Sequence, residues 1–213
     1  MLNVKTFEFN PFGEKTYIVY DPDSLECVVV DPGMENDREI YEFDSWIADK
    51  NLTIKHLVAT HLHIDHVWGV PHVKNKYNVS LMAHADDRYL GAIIDSQAQM
   101  FGQRNSPGNL QPEIEVIDND TLYLGNNILS VLHVPGHSPG GIVLYAPKDG
   151  FVIGGDALFR GSIGRTDLPG GNTDTFLASL RNKLMSLPDD TTVYPGHGPS
   201  TTIGLERRNN PWL

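Results

Sequence analysis

Thr60-His61-Leu62-His63-Ile64-Asp65-His66 places four side chains able to bind a metal within six residues. Ile54 to Thr60 reads as a buried strand and Trp68 to Tyr77 as a helix, so the motif falls on a strand-to-helix loop. In extended chain, residues two apart face the same side, so His61 and His63 can share one ion while Leu62 points to the core. Asp65 and His66 come after the turn and would enter the cavity from another direction, which suits a second ion. Imidazole and carboxylate fit zinc, iron or manganese, and the absence of cysteine ligands argues against a structural zinc site. A lone histidine is ordinarily a hydrogen-bonded polar residue, but four such residues at this spacing are a rare coincidence.

The totals are those of an ordinary globular protein. Its 213 residues can bury a substantial core, and a single domain over 1–213 is expected. The net charge of −11 leaves no basic footprint for a phosphate backbone, so nucleic acid is not an expected partner. The one cysteine, Cys27, lies in the apolar run Cys27-Val28-Val29-Val30 and reads as a buried strand residue. No apolar run approaches membrane-spanning length and Met1 to Glu8 lacks a signal-peptide pattern, so a cytoplasmic location is expected.

Outward from the motif, Val4 to Phe9, Thr16 to Tyr20 and Cys27 to Val30 read as an antiparallel meander that stops at Asp31-Pro32-Gly33. Asn36 or Asp37 can cap a helix with Ile40, Phe43, Trp46 and Ile47 at helical spacing. Asp31 is either a turn residue or a carboxylate that orients a metal-bound imidazole. A strand at Val79 to Ala83 and a helix from Asp86 to Met100 follow, then Gln103 to Pro112, polar and rich in turn formers. That stretch is a surface connection or a mobile loop near the substrate. Strands are expected at Ile114 to Ile117, Thr121 to Leu124, Ile128 to Val134, Gly141 to Tyr145 and Phe151 to Ile153. A helix from Thr173 to Met185, a strand from Thr191 to Tyr194 and a helix from Thr201 to Arg208 complete the chain. Each half would then be a meander with helices, the two packed sheet against sheet.

Three later residues share the motif's setting, each after an apolar strand and beside glycine: His137 in Pro135-Gly136-His137, Asp156 in Gly154-Gly155-Asp156, and His197 in Pro195-Gly196-His197. His61, His63 and His137 make a three-imidazole site, Asp65, His66 and His197 a second, and Asp156 can bridge them. Two ions about 3.5 to 4 Å apart would lower the pKa of a water between them, which is hydrolytic chemistry. His56, His72, His84 and His133 lack converging partners and read as structural.

With these residues in view, the chain resembles the metallo-β-lactamase superfamily, whose H-x-H-x-D-H, later His, later Asp and final His are matched at every position. The resemblance covers nearly the whole chain. It implies an α+β fold, a four-layer αββα sandwich with metals at one edge between the sheets, and His61, His63, Asp65, His66, His137, Asp156 and His197 as ligands. The presence of His66 and the lack of a cysteine ligand differ from the usual β-lactamase pattern, which argues against antibiotic hydrolysis.

Gly155-Asp156-Ala157-Leu158-Phe159, then Gly164-Arg165-Thr166-Asp167, and the tail Thr202 to Pro211 are similar to the glyoxalase II branch, hydrolases of S-acylglutathione thioesters. The resemblance implies a dinuclear thioester hydrolase acting on a small acyl-thiol compound, a monomer or small homo-oligomer. It would hold two divalent ions, zinc foremost, with iron or manganese as alternatives. Asp65 would also orient the attacking hydroxide. Arg165 falls where that branch contacts the glutathione backbone and could hold a substrate carboxylate; pairing with Asp167 is the alternative. Two features depart from long glyoxalase II enzymes: there is no helical extension before Leu213, and Gly198-Pro199-Ser200 stands where they place a tyrosine. Persulfide dioxygenases look similar too, and their single iron would take His61, His137 and Asp156.

Overall fold

The structure is a computed structural model describing residues 1–213, and its core is two six-stranded sheets laid face to face. The first contains β1 (Asn3–Phe9), β2 (Glu14–Tyr20), β3 (Glu26–Val30), β4 (Thr53–Val58), β5 (Leu81–Ala83) and β6 (Ile114–Glu115), in that spatial order. β1, β2 and β3 pair antiparallel through tight turns, whereas β3 to β6 run parallel. Parallel neighbours need long crossovers, and helices supply them: α1 (Asp37–Asp49), α2 (Ile64–Val67) with α3 (Val70–Tyr77), and α4 (Arg88–Ala92) with α5 (Ile94–Met100).

The second sheet begins with β7 (Thr121–Leu124), β8 (Asn127–His133), β9 (Ile142–Ala146) and β10 (Phe151–Gly155), an antiparallel series. A small hairpin, β11 (Leu158–Phe159) and β12 (Ser162–Ile163), and helix α6 (Thr173–Ser179) then lead to β13 (Thr192–Pro195), which lies parallel to β10. β14 (Thr201–Thr202) forms the sheet edge and α7 (Ile203–Asn209) follows.

Strand alternation sorts the apolar residues into layers. Tyr17, Val19, Val28, Val30, Leu144 and Ile153 meet between the sheets. Their neighbours Ile18, Cys27, Val29 and Leu57 face outward onto Phe43 and Ile47 of α1 and Val70 and Val73 of α3. Val143, Val152 and Val193 face the other way, onto Phe176, Leu180 and Ile203. Helix, sheet, sheet, helix is thus the αββα sandwich the sequence implied. Asn36 caps α1 as expected, its side chain accepting from the Glu39 amide at 3.1 Å. No helix is long and apolar enough to cross a membrane.

Four expectations need correction. The first half is a meander only through β3; beyond it the sheet is parallel. Residues 114–115 belong to that first sheet through Met82 and Ala83, not to the second. The helix expected from Trp68 begins earlier, as the short turn α2, so Asp65 and His66 are helical rather than in a loop. The helix expected over 86–100 is broken at Ile93, where φ is −117°.

Candidate metal centre

All seven candidate ligands lie on segments that leave β4, β8, β10 and β13 at one edge of the sandwich. Their closest atoms form two clusters. His63 Nδ1 lies 3.0 Å from His137 Nε2, which lies 3.2 Å from His61 Nε2. Beside them, His197 Nε2 lies 3.2 Å and His66 Nε2 3.6 Å from Asp65 Oδ2. Asp156 stands between: its Oδ2 is 3.6 Å from His137 Nε2, and its Oδ1 is 3.4 Å from His66 Nε2 and 3.7 Å from His197 Nε2.

The far edge of each ring decides which nitrogen faces the cluster. His66 Nδ1–H donates to Asp31 Oδ2 at 3.0 Å, His137 Nδ1–H to the Arg165 carbonyl at 2.7 Å, and His197 Nδ1–H to the Phe12 carbonyl at 3.2 Å. His61 Nδ1–H donates to the Thr60 hydroxyl at 3.0 Å, which itself donates to Asp31 Oδ2 at 2.6 Å. Four rings therefore aim an Nε2 lone pair inward. His63 alone turns Nδ1 inward, and its Nε2 is buried without a partner.

Asp31 answers the question the sequence left open in both senses. It adopts φ 51°, the left-handed region that short polar side chains tolerate in turns. It also binds the Thr60 amide at 2.6 Å and His66, tying the end of β3 to the start of the motif. Glycine is required where these segments crowd together. A Cβ at Gly196 would collide with Asp156 Oδ1 and the His66 ring, and Gly155, at φ 47°, lies against Thr60.

Three supporting residues were not singled out in the sequence. Asp87, fully buried, accepts from the Leu62 amide at 3.0 Å, the Ser138 hydroxyl at 2.9 Å and the Gly140 amide at 2.5 Å. It thereby holds the His61–His63 loop against the His137 loop. Gln97 accepts from the Ile64 amide at 3.0 Å and donates to the Leu62 and Leu90 carbonyls. Glu14 is fully buried with one oxygen 4.0 Å from His66 Nδ1, and burial pushes its pKa well above the usual carboxylate range. Asp87 sits in the polar run Ala85-Asp86-Asp87-Arg88 and Glu14 opens Glu14-Lys15-Thr16, so no local pattern marks either carboxylate.

Charge follows geometry. Burial and the neighbouring imidazoles hold His61 far below its ordinary pKa, and burial with His137 holds His63 at about 3. Burial opposes the charge on His66, yet Asp65, Asp156 and Asp31 together raise it well above its ordinary pKa; Asp65 and Asp156 also raise His197. Asp156, though buried, is held low by His66, His137 and His197.

Arg165 lines the cavity above the clusters, but its guanidinium forks onto Asp167, with both N–H···O distances 2.7 Å. The four remaining histidines stand apart: His56 contacts the Tyr123 carbonyl, and His72 contacts Asp44. His84 and His133 do have a converging partner, contrary to expectation: one ligand atom from each lies within 4.8 Å of the others and of Asp86. The two rings stack face to face at 3.9 Å with 10° between planes, His84 Nδ1 accepts from the Asp86 amide, and His133 Nε2 meets the Pro139 carbonyl.

A sequence profile described as the metallo-beta-lactamase superfamily matches residues 10–197. The chain belongs to that superfamily. Hydroxyacylglutathione hydrolase GloC of Haemophilus influenzae is 34% identical over 213 residues, covering 100% of this chain and 98% of its own. Among solved structures, BLEG-1 B3 metallo-beta-lactamase superposes with TM-score 0.88 at 34% identity, covering 99% of both chains. A di-iron-bound form of TTHA1623 gives TM-score 0.86 at 35% identity, covering 98% of this chain and 100% of that one. As a superfamily member with two His-rich clusters, the chain has the residues to hold divalent metal.

Proposed function

We propose that this protein is a dinuclear metallohydrolase that cleaves thioesters of small acyl-thiol compounds. The observation that carries the reading is Asp156, whose two oxygens face two different histidine clusters. The orphaned atoms support it: His66 Nε2 and Asp156 Oδ1 are buried with no hydrogen-bond partner, a costly state that an ion would relieve. Inward-facing imidazole nitrogens 3.0 and 3.2 Å apart also sit near the separation of about 3.4 Å expected for two tetrahedral ligands of one zinc ion.

In this reading His61, His63, His137 and Asp156 hold one ion, and Asp65, His66, His197 and Asp156 the other. When bound, such ions supply Lewis acidity, acidifying water and polarising an acyl carbonyl. The chain's own residues do the rest. Asp31 and the Thr60 hydroxyl fix the tautomers of His66 and His61, so no ring must reorient during turnover. Asp65, which lines the cavity, would accept a hydrogen bond from the attacking O–H and so orient it. Phe12, Phe101 and Leu168 wall off an opening of about 250 Å³ over the clusters, a space suited to a small substrate. No side chain competes as nucleophile: Cys27 is buried in the core with its thiol pushed up to about 12, and the Ser138 hydroxyl is committed to Asp87. Arg165 can reach a substrate carboxylate only by exchanging it for Asp167.

GloC is named a hydroxyacylglutathione hydrolase, so S-lactoylglutathione is the first substrate to try. Protein purified without added metal should carry about two ions per chain by elemental analysis and hydrolyse it, with loss of thioester absorbance. The competing reading, persulfide oxidation at one iron, employs only His61, His137 and Asp156. One iron per chain, no thioester loss, and oxygen uptake with glutathione persulfide would select it. Measurable β-lactam turnover without thioester turnover would instead move the chain toward the activity BLEG-1 is named for.

The pKa pattern sets an order of metal loss in acid. His61 and His63 stay neutral well below pH 6, ready to ligate, whereas His66 and His197 hold protons to higher pH. A metal entering the second cluster must displace those protons, so its affinity falls about ten-fold per pH unit for each proton displaced. Dialysis at stepwise lower pH should remove the ion beside His197 first, leaving about one per chain. Simultaneous loss of both would contradict the assignment. For the metal-free fold the signs differ. The depressed His63 costs stability progressively as pH falls from about 6.5 toward about 3, while the raised His66 contributes stability that disappears as pH rises through its folded pKa.

A further inference from the structure

Beside the cavity over the clusters lies a second, smaller recess, and the two share His63, Phe101 and Leu168 as walls. Its other walls include Leu90, Ile93 and Met100, so its surface is almost entirely apolar. Gln97 also lines it, yet the amide is spent: Oε1 accepts from the Ile64 amide, and Nε2 donates to the Leu62 and Leu90 carbonyls. No charged residue lines the recess. The space open to the centres of small groups is about 30 Å³, room for about two or three carbon atoms.

We infer that this recess seats the acyl tail of the substrate, which makes the protein selective for thioesters of short unbranched alkyl acids, butanoyl above acetyl. The inference rests on the thioester hydrolase reading and adds what that reading lacks, the chemistry of the acyl group. A thioester carbonyl placed over the clusters has its alkyl side and its sulfur side pointing apart. The recess is apolar and is lined by Ile93 at the α4–α5 break, whereas the cavity over the clusters also carries Arg165, which is exposed. The alkyl side therefore belongs in the recess and the thiol carrier toward Arg165. A polar acyl group would lose its water there and find no free partner from Gln97, leaving only the Ser96 hydroxyl and the buried His63 Nε2 to meet it, whereas almost all of the recess surface is apolar.

The test is a series of acyl thioesters on one thiol, from acetyl through propanoyl and butanoyl to octanoyl, together with calorimetric binding of acetate and butanoate to the metal-loaded protein. Each methylene seated should raise kcat/KM about four-fold, so butanoyl should exceed acetyl about fifteen-fold, with no further gain by octanoyl. Butanoate should bind more tightly than acetate in the same proportion. Ile93→Trp, which fills the recess, should bring the butanoyl-to-acetyl ratio close to one. Leu168→Ala, at a half-buried loop position, should reduce the ratio without burdening folding. A flat series, or a ratio untouched by Ile93→Trp, would overturn the inference while leaving thioester hydrolysis standing. If no thioester is cleaved, the hydrolase reading fails by itself, and equal binding of acetate and butanoate would then dispose of the recess as an acyl site.

Discussion

Asp156→Ala is expected to empty both clusters. Its two oxygens are the atoms that reach from His137 on one side to His66 and His197 on the other, so removing them takes one ligand from each proposed ion at once. Metal content should fall from about two per chain to well below one. Hydrolysis should fall about a thousand-fold or more, because charge stabilisation by the ions supplies several kcal/mol of the barrier reduction. His197→Ala should act on one side only: His197 is partly exposed and touches only the second cluster, so about one ion should remain. Wild-type metal content in Asp156→Ala would refute the bridging role, whatever became of activity.

The second large effect falls on a residue outside both clusters. Asp87→Ala orphans two backbone amides and a hydroxyl in the interior, those of Leu62, Gly140 and Ser138. Each buried donor without an acceptor costs about 1–3 kcal/mol, and with partial relaxation the sum should reach about 3–5 kcal/mol. For a chain of this size that corresponds to a fall in Tm of about 10 °C. Asp87→Asn keeps one acceptor oxygen and should lose less. Both should also weaken metal binding, since the donors freed belong to the loops carrying His61, His63 and His137. A thermal melt of metal-free protein separates the two effects. An unchanged melt in Asp87→Ala would mean that the loops are held by their ends alone.

What the sequence made legible was the chemistry of the candidate ligands themselves. His61, His63, Asp65 and His66 announce themselves by spacing, and His137, Asp156 and His197 by apolar strand followed by glycine. The strands were legible because alternation is local. Which sheet a strand joins is not: residues 114–115 read as the start of the second half but complete the parallel run of β5 through a pairing that no local pattern encodes. The break at Ile93 was hidden because Asp86 to Met100 keeps helical composition through it. The residues that steer the ligands were hidden for another reason. Asp87 and Gln97 act by accepting or donating at backbone groups far along the chain, at separations of 25 and 33 residues, whereas Asp31, which reaches 29 residues to the Thr60 amide, was already legible as a turn residue or an orienting carboxylate. An aspartate at a helix start or turn looks the same whether it caps locally or reaches across. Arg165 shows the converse, since its local pair with Asp167 was readable and is what the structure contains.

The placement of the clusters at the seam between two sheets also governs the order of assembly. His61 and His137 are 76 residues apart, and His197 lies 60 residues beyond His137, so neither cluster can exist until both sheets have formed and docked. Contacts of such long sequence separation form late in folding. On the proposed reading, metal capture would be a closing event for this fold, and an ion taken up early, by His61 and His63 alone, would hold half a coordination shell with nothing yet to complete it.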